Sequence, residues 1–245
     1  MLTQKLLSRL KNASAVTVLS GAGISAGSGV PTFRGKDGFW ENQKVEDLAT
    51  AQALRSNPEL FWTFFNWRKK LIKEVKPNLG HYSLVDFERI YKDFLLVTQN
   101  VDNLHREAGN DKIVELHGNI FNIKCADCGK NHAEPINESL QNPRCNACGG
   151  SLRPDVILFG EKPEEKNLRA AQEAAAVSEI FFSIGTSAIV EPAASLPLLA
   201  KANGAYVVEI NSEETPLSQH VDESLRGKTE KLLPTLVIII EKLQS

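Results

Sequence analysis

Cysteine, net charge and long apolar runs are all in short supply in this sequence. Four cysteines in 245 residues are too few for a disulfide-stabilised scaffold. The 28 Lys and Arg are nearly balanced by 30 Asp and Glu, which excludes a nucleic-acid binder that works through overall basicity. The longest apolar run, from Leu236 to Ile240, is far shorter than the roughly 20 residues that span a bilayer. We therefore expect a cytoplasmic protein, compatible with a monomer, that has neither a nucleic-acid nor a membrane partner.

Short apolar segments alternate with stretches of helical periodicity along most of the chain. These segments are continuously apolar rather than alternating, which is typical of strands covered on both faces. The pattern predicts an α/β fold built on a parallel sheet with helices on both faces. The candidate strands are Val16–Ser20, Phe94–Gln99, Ile113–Leu116, Val156–Phe159, Ile180–Ile184 and Tyr206–Ile210.

Two stretches interrupt this alternation. Residues 38–78 contain the three tryptophans and helical periodicity without a candidate strand, and residues 120–153 contain all four cysteines. We predict that they form a small domain, made of a helical insertion and a zinc-binding module. The sheet domain is then predicted to consist of residues 1–37, 79–119 and 154–245.

A glycine motif, Gly21-Ala22-Gly23-Ile24-Ser25-Ala26, follows the first candidate strand. It fits the G-x-G-x-x-G/A pattern of Rossmann-like folds, in which glycines let the backbone approach a pyrophosphate. A tight strand-to-helix turn is the alternative interpretation. The acidic residue expected about 20 residues further on in a dehydrogenase is missing, because residues 30–36 are loop-like and cationic. The sequence therefore disfavours hydride transfer, but it remains compatible with the binding of an NAD-like ligand.

The four cysteines form two pairs, Cys125-x2-Cys128 and Cys145-x2-Cys148, at the spacing of a zinc ribbon. Four thiolates complete a tetrahedral Zn²⁺ site, so we predict one structural zinc with no open position for chemistry. A redox role would need only one pair. Local charges around the pairs are balanced, which favours a scaffolding role over nucleic-acid binding.

Polar residues follow several candidate strands, at the sheet edge where parallel sheets place their ligands. Two of these clusters, Gly185-Thr186-Ser187 and Asn211-Ser212-Glu213, suit phosphate and ribose contacts. A third, running from Thr98 to His105, contains amides and one carboxylate; a helix start is its alternative interpretation.

Among the five histidines, His117 is the best placed to act as a base. It ends a candidate strand, and the neighbouring Gly118 is expected to let a ligand approach. We expect the other histidines to face solvent: His81, His105, His132 and His220.

These motifs resemble, in order and over residues 14 to 229, those of the sirtuins, the NAD-dependent protein deacylases. The resemblance rests on the glycine loop, Pro31-Thr32-Phe33-Arg34-Gly35, Thr98-Gln99-Asn100-Val101-Asp102, Leu116-His117-Gly118, the paired cysteines, Phe159-Gly160-Glu161 and Gly185-Thr186-Ser187. It implies that NAD is a co-substrate and that acylated-lysine proteins or peptides are the partners.

The resemblance also implies roles for individual residues. His117 and Asn100 would be catalytic, with neutral His117 acting as general base on a ribose hydroxyl. The products would be nicotinamide, O-acyl-ADP-ribose and free lysine. The NAD-binding residues would be Gly21, Ala22, Gly23, Ile24, Ser25, Thr32, Phe33, Arg34, Trp40, Gln99, Asn100, Asp102, Gly185, Thr186, Ser187, Asn211, Ser212, Glu213 and Thr229.

Substrate binding would involve a segment that pairs with the peptide backbone as an added strand. Its members would be Val156, Leu158, Phe159 and Gly160. In the class III branch, which this chain resembles, a Tyr-x-x-Arg motif binds succinyl- or malonyl-lysine. Here the motif reads Phe65-Asn66-Trp67-Arg68, so that Arg68 could still pair with an acidic acyl group. A solvent-exposed arginine on a helix face is the alternative.

Two other functions stay open from the residues. A mono-ADP-ribosyltransferase or NAD hydrolase could use the same cleft with less need of His117. A zinc-ribbon scaffold protein with a vestigial cleft belongs to a different class. The presence of His117 together with Asn100 and Asp102 argues against the scaffold.

Overall fold

The protein was analysed in a computed structural model, which describes residues 2–32, 39–41, 43–132 and 142–244. The strands in chain order are β1 (Ala15–Ser20), β2 (Phe39–Trp40), β3 (Gln43–Lys44), β4 (Asp93–Thr98), β5 (Ile113–Glu115), β6 (Gly118–Cys125), β7 (Asn131–His132), β8 (Leu152–Val156), β9 (Ile180–Ile184), β10 (Tyr206–Asn211) and β11 (Glu223–Arg226). The α-helices in chain order are α1 (Gln4–Asn12), α2 (Ala22–Ala26), α3 (Val45–Leu48), α4 (Ala51–Ser56), α5 (Pro58–Lys73), α6 (Leu79–Ile90), α7 (Leu104–Ala108), α8 (Glu165–Val177), α9 (Leu196–Ala202) and α10 (Thr229–Gln244).

The larger sheet has six parallel strands in the order β11-β10-β9-β1-β4-β5. After β1 the chain first builds β4 and β5 on one side and later β9, β10 and β11 on the other. Ligands of open parallel sheets bind beyond the carboxyl ends of the strands, at the point where the direction of winding reverses. In this sheet that point lies between β1 and β9, so the predicted α/β, Rossmann-like fold class is confirmed.

Apolar side chains line both faces of the sheet. Val16 and Val18 of β1 belong to a buried cluster with side chains of α1, α6 and α10. Leu19 belongs to a second cluster, with side chains of α8 and α9. Because both faces are covered by helices, the strands are continuously apolar, as the sequence indicated.

The second lobe has a hydrophobic core of its own. Phe61 and Phe64 of α5 lie in one buried cluster with Cys125 of β6 and Leu152 of β8. The helical insertion and the cysteine-bearing sheet therefore share a core, although the domain boundaries taken from the sequence stay a prediction. Among the described residues, no helix has both the length and the apolar character needed to cross a bilayer.

The expectation of a parallel strand at Val156–Phe159 is wrong. The strand is β8, which ends at Val156 and pairs antiparallel with β6 in the three-stranded sheet β7-β6-β8 of the second lobe. Beyond it, the N–H of Ile157 donates to the carbonyl of His117, and Phe159 forms only an isolated bridge with Thr50. An apolar run of four residues does not distinguish a strand from a buried loop, because both bury the same side chains.

Candidate active site and metal centre

The glycine motif lies where β1 and β9 end side by side. The N–H of Gly23 donates to the carbonyl of Gly185 at 2.8 Å, and the N–H of Gly21 donates to the carbonyl of Ile184 at 2.9 Å. A Cβ on Gly23 would lie 2.7 Å from the Gly185 backbone, and one on Gly21 would lie 2.8 Å from Thr186. The glycines therefore allow two loops to pack backbone against backbone, and the N–H of Gly23 is engaged within the protein.

Ser25 of α2 is the centre of a buried polar cluster. Its hydroxyl donates to Asp102 Oδ2 at 2.6 Å and accepts from Asn100 Nδ2 at 3.1 Å. Asn100 also donates to the carbonyl of Gly21 at 3.2 Å. Burial raises the pKa of Asp102, while hydrogen bonds from Ser25 and from the N–H of Leu104 lower it. The cluster thus joins the glycine loop to the residues that follow β4.

His81, expected at the surface, is fully buried against this cluster. Its Nδ1 accepts the N–H of Asn78 at 3.2 Å, which completes a capping box at the start of α6. The protonated Nε2 then faces the Ser25 hydroxyl at 3.3 Å. Burial lowers the pKa of His81 to about 4. The spacing Asn78-x-x-His81 is that of a capping box, a signal in the sequence that could have located it.

His105 is buried as well, so the expectation that it faces solvent is also wrong. Its Nε2 lies 2.9 Å from the hydroxyl of Ser20, and its ring centroid lies 4.9 Å from that of His81. Desolvation and the neighbouring His81 lower its pKa well below the ordinary value. His220 is exposed, as expected.

His117 follows β5 and is partly exposed at the sheet edge. Its Nδ1 lies 3.0 Å from the carbonyl oxygen of Gln99. Because a carbonyl only accepts, Nδ1 carries the proton and Nε2 is the basic nitrogen. Burial lowers the pKa of His117, and the bond to Gln99 raises it in part. The ring is therefore neutral at pH 7, as a general base must be.

The backbone requires a glycine at position 118, whether or not a ligand also approaches there. Its φ is +80°, and a Cβ at this position would lie 2.1 Å from the carbonyl oxygen of Asp155. The glycine therefore permits β6 and β8 to approach each other directly beside His117.

Thr186 connects the ends of three strands of the larger sheet. Its hydroxyl accepts from Gln99 Nε2 at 2.9 Å, and its carbonyl accepts from Asn211 Nδ2 at 2.8 Å. Ser187 is partly buried, whereas Ser212 and Glu213 are exposed. The amides predicted from the sequence thus hold the ends of β4, β9 and β10 together.

The remaining predicted NAD-binding residues are scattered. Thr229 is buried at the start of α10, and Thr32 is partly buried. Trp40 lies among aromatic side chains of the second lobe, with its ring centroid 5.6 Å from that of Phe64. Phe33 and Arg34 lie outside the described residues.

Arg68 lies on α5 with only 4% of its surface exposed, which excludes the alternative of a solvated arginine. Its guanidinium donates to the carbonyl of Pro31 at 3.1 Å. Burial lowers the pKa of Arg68 to about 10, while the charge of Asp102 raises it. Arg68 therefore stays charged at neutral pH. Phe65, one turn earlier, is buried against Phe61.

The predicted substrate segment is tied into the protein through its backbone. Val156 and Leu158 are buried, whereas Phe159 is 42% exposed. The N–H of Phe159 donates to the carbonyl of Ala49 at 2.9 Å, which ties the segment to the helical insertion. Gly160 follows with a φ of +88°.

The four cysteine sulfurs lie within 4.8 Å of one another. The Sγ atoms of Cys125 and Cys148 are 3.5 Å apart, and those of Cys128 and Cys145 are 3.8 Å apart. Tetrahedral zinc with Zn–S bonds of about 2.3 Å places its sulfurs roughly 3.8 Å apart, so the cluster fits this ion.

Two similar turns present these sulfurs. Gly129 and Gly149, with φ of +71° and +76°, follow the two pairs, and each N–H donates to the carbonyl of the first cysteine of its pair. His132, expected to face solvent, is partly buried, and its Nε2 lies 3.2 Å from Cys145 Sγ. Spacing predicts the four sulfurs, but not this contact.

Comparison with known proteins connects this site to one family. Residues 21–192 match the model described as the Sir2 family. A relative from Aquifex aeolicus, named NAD-dependent protein deacylase, is 46% identical over 222 residues, which cover 89% of this chain and 92% of the relative. A Pyrococcus furiosus relative of the same name is 44% identical and covers 96% of both chains.

Solved structures give the same result. A Sir2 homologue in complex with 2′-O-acetyl ADP ribose superposes with a TM-score of 0.94 at 39% identity, covering 100% of this chain and 98% of the other. A complex of Sir2 with a p53 peptide and NAD⁺ superposes with a TM-score of 0.86 at 30% identity, covering 97% and 98%. The extent of these matches along the whole sheet and the cysteine-bearing lobe shows that this chain belongs to the Sir2 family.

Proposed function

We propose that this protein is an NAD-dependent protein-lysine deacylase, which transfers the acyl group of a modified lysine to ADP-ribose and releases nicotinamide. Its family membership and the names of its relatives support this function. The structural observation that carries it is the bond between His117 Nδ1 and the carbonyl of Gln99, at 3.0 Å. This bond leaves a neutral imidazole with a basic Nε2 at the mouth of the cleft.

His117 acts as the general base. Bound NAD would supply the ribose that accepts the acyl group, and Nε2 of His117 would take the proton of a ribose hydroxyl as that hydroxyl attacks the acyl carbon. The carbonyl of Gln99 holds the ring in the required tautomer. A positioned general base contributes about 100-fold or more to a rate.

The cluster around Ser25 binds the nicotinamide end of NAD. Asn100 and Asp102 present an amide and a carboxylate, which together can donate to and accept from a carboxamide and a ribose. Their bonds to Ser25, at 3.1 and 2.6 Å, orient them before NAD arrives. The adenosine end is assigned to Gly185–Ser187 and to Asn211, which already meet through Thr186.

Zinc fits the four thiolates and would hold the second lobe together. Cys125 and Cys145 belong to the same buried cluster as the aromatic side chains of α5. All four cysteines would be used as ligands, which leaves no open position for a reacting molecule. The metal is therefore assigned a structural role.

Peptide binding is assigned to the segment of residues 156–160, next to His117. The N–H groups of residues 157–159 are engaged within the protein, so the open position for pairing is at Gly160. Recognition through backbone pairing gives affinity with little demand on sequence. The p53 peptide bound by a Sir2 relative supports a protein substrate. Arg68 is assigned to an acidic acyl group, because it stays charged and lies near enough to Asp102 for that carboxylate to raise its pKa. The cytoplasmic location stays a prediction from the sequence, which is compatible with a monomer but does not determine the oligomeric state.

Mass spectrometry with NAD and a panel of acetyl-, propionyl-, malonyl- and succinyl-lysine peptides tests the function. We expect free lysine peptide, nicotinamide and O-acyl-ADP-ribose in equal amounts. The variant His117→Ala should lose about 100-fold or more in rate while still binding NAD, and His220→Ala, at an exposed histidine, should be unaffected. ADP-ribosylated peptide, or free ADP-ribose alone, would contradict the proposal.

A further inference from the structure

Arg153 and Glu161 form an ion pair across the segment that follows β8. Arg153 lies on β8 and is 5% exposed. Its two terminal nitrogens donate to the two carboxylate oxygens of Glu161, at 2.6 and 2.9 Å. This bidentate pairing fixes the relative orientation of the two side chains as well as pairing their charges. A lysine, which carries a single ammonium group, could pair the charge but not fix the orientation. Neither side chain has a role in the reaction described above.

The pair also binds the backbone between its two members. The Arg153 guanidinium donates to the carbonyl of Val156, and the Glu161 carboxylate accepts the N–H of Leu158 at 2.9 Å. Residues two apart in an extended chain present their backbone groups on the same side. The side chains of Arg153 and Glu161 therefore occupy the place that a neighbouring strand would have on this side.

The opposite edge of the segment is hydrogen-bonded to the backbone of His117 and of the helical insertion. The N–H of Ile157 donates to the carbonyl of His117 at 2.9 Å, and the N–H of Phe159 donates to that of Ala49. A Cβ placed on Gly160 would meet nothing within 4 Å, so the chain borders open space there. The segment thus lies between the Arg153–Glu161 pair and the backbone of the catalytic histidine.

We propose that Arg153 and Glu161 are positioning residues for the acyl-lysine substrate, acting through the backbone of Val156–Gly160. This inference rests on the proposed function, in which the substrate peptide pairs with this segment. Because the N–H groups of Ile157, Leu158 and Phe159 are already engaged within the protein, the pair acts by fixing the open end of the segment at Gly160. Strand addition requires backbone groups that are already arranged before the peptide binds. Without the pair, the segment would lose the contacts on one side, and peptide affinity would fall. Among the described residues, the hydrogen bonds of Arg153 and Glu161 do not reach the ends of β1, β9 and β10 that are assigned to NAD.

Two variants distinguish the contribution of the charge of the Arg153–Glu161 pair from that of its bidentate geometry. Glu161→Gln keeps the size of the side chain but removes its charge and one acceptor oxygen, and Arg153→Lys keeps the charge but loses the fork. The matched control is Asp155→Asn, which removes the negative charge that pairs with Lys124 Nζ at 2.6 Å in the same sheet.

Steady-state kinetics with an acetyl-lysine peptide, and calorimetry with NAD, distinguish a positioning role from general destabilisation. Glu161→Gln should raise the peptide KM about tenfold or more, the effect of losing one charge-assisted hydrogen bond. Arg153→Lys should have the smaller effect. The Kd for NAD should stay within about twofold of wild type in both variants, and Asp155→Asn should change neither constant by more than about twofold.

Hydrogen exchange supplies a readout that does not depend on turnover. The amide of Leu158 should exchange faster in Glu161→Gln than in wild type or Asp155→Asn, because its acceptor is weakened. An active wild type whose variants keep the peptide KM, or lose peptide and NAD affinity equally, would overturn the positioning role alone. A wild type inactive towards every acyl-lysine peptide would overturn the proposed function and this inference with it.

Discussion

Acid should destabilise this protein through His81, which is completely buried beside the Ser25 cluster. Burial lowers the pKa of His81 from 6.5 to about 4. As the pH falls below 6.5, the unfolded chain takes up a proton at His81 and the folded chain does not, so unfolding becomes more favourable. The stability that depends on neutral His81 is therefore present above pH 6.5 and is lost as the pH falls towards 4.

The pKa shift sets the size of this effect. A change from 6.5 to about 4 corresponds to about 3 kcal/mol in the free energy of unfolding. Proton linkage predicts that about 2 kcal/mol of this free energy of unfolding is lost between pH 8 and pH 5. The lowered pKa of His105 acts in the same direction, whereas Asp102, whose pKa is raised, gains protons more readily when folded and opposes it.

Urea unfolding of wild type and His81→Gln at pH 8 and pH 5 measures this contribution. Glutamine is a usual capping-box residue, so it can accept the N–H of Asn78 without titrating. Over this interval we expect wild type to lose about 2 kcal/mol more than the variant. His220→Gln, at an exposed histidine, is the control and should follow wild type. If wild type and His81→Gln lose stability in parallel, the assignment to His81 is refuted.

Three further predictions concern the metal, the glycine loop and the acyl group. Cys125→Ser should release zinc and lower the Tm, as measured by metal analysis and calorimetry; full metal content would contradict the ligand assignment. Gly23→Ala places a Cβ 2.7 Å from the Gly185 backbone and should cost about 2 kcal/mol or more in chemical unfolding; wild-type stability would show that the loops separate freely. Arg68→Met should reduce kcat/KM for succinyl-lysine about tenfold more than for acetyl-lysine, and equal losses would mean that Arg68 only supports the fold.

Local patterns in the sequence predicted a large part of this molecule. The cysteine spacing predicted a four-sulfur cluster because each Cys-x2-Cys turn places its own two sulfurs together. The glycine motif and the polar residues after β4 and β9 were located correctly because parallel strands share one carboxyl edge. The edge strand β11 was missed, since its residues alternate between partly buried and exposed and its sequence is mainly polar.

The errors concern residues whose surroundings come from distant parts of the chain. His81 and His105 were expected to face solvent, as polar residues outside the candidate strands, yet they meet Ser25 and Ser20. Arg68 is buried because α5 packs towards the loop that contains Pro31. The capping-box spacing Asn78-x-x-His81 is readable from the sequence, but the contacts of these side chains with distant segments are not.

The sequence by itself determined the α/β architecture and the cluster of four cysteine sulfurs, and it singled out His117 as the candidate general base, because these depend on short-range spacing and on the edge shared by parallel strands. Only the tertiary structure decided the protonation state of His117, the burial of His81 and the pairing of Arg153 with Glu161. These properties depend on desolvation and on hydrogen bonds that exist only after distant segments have packed together.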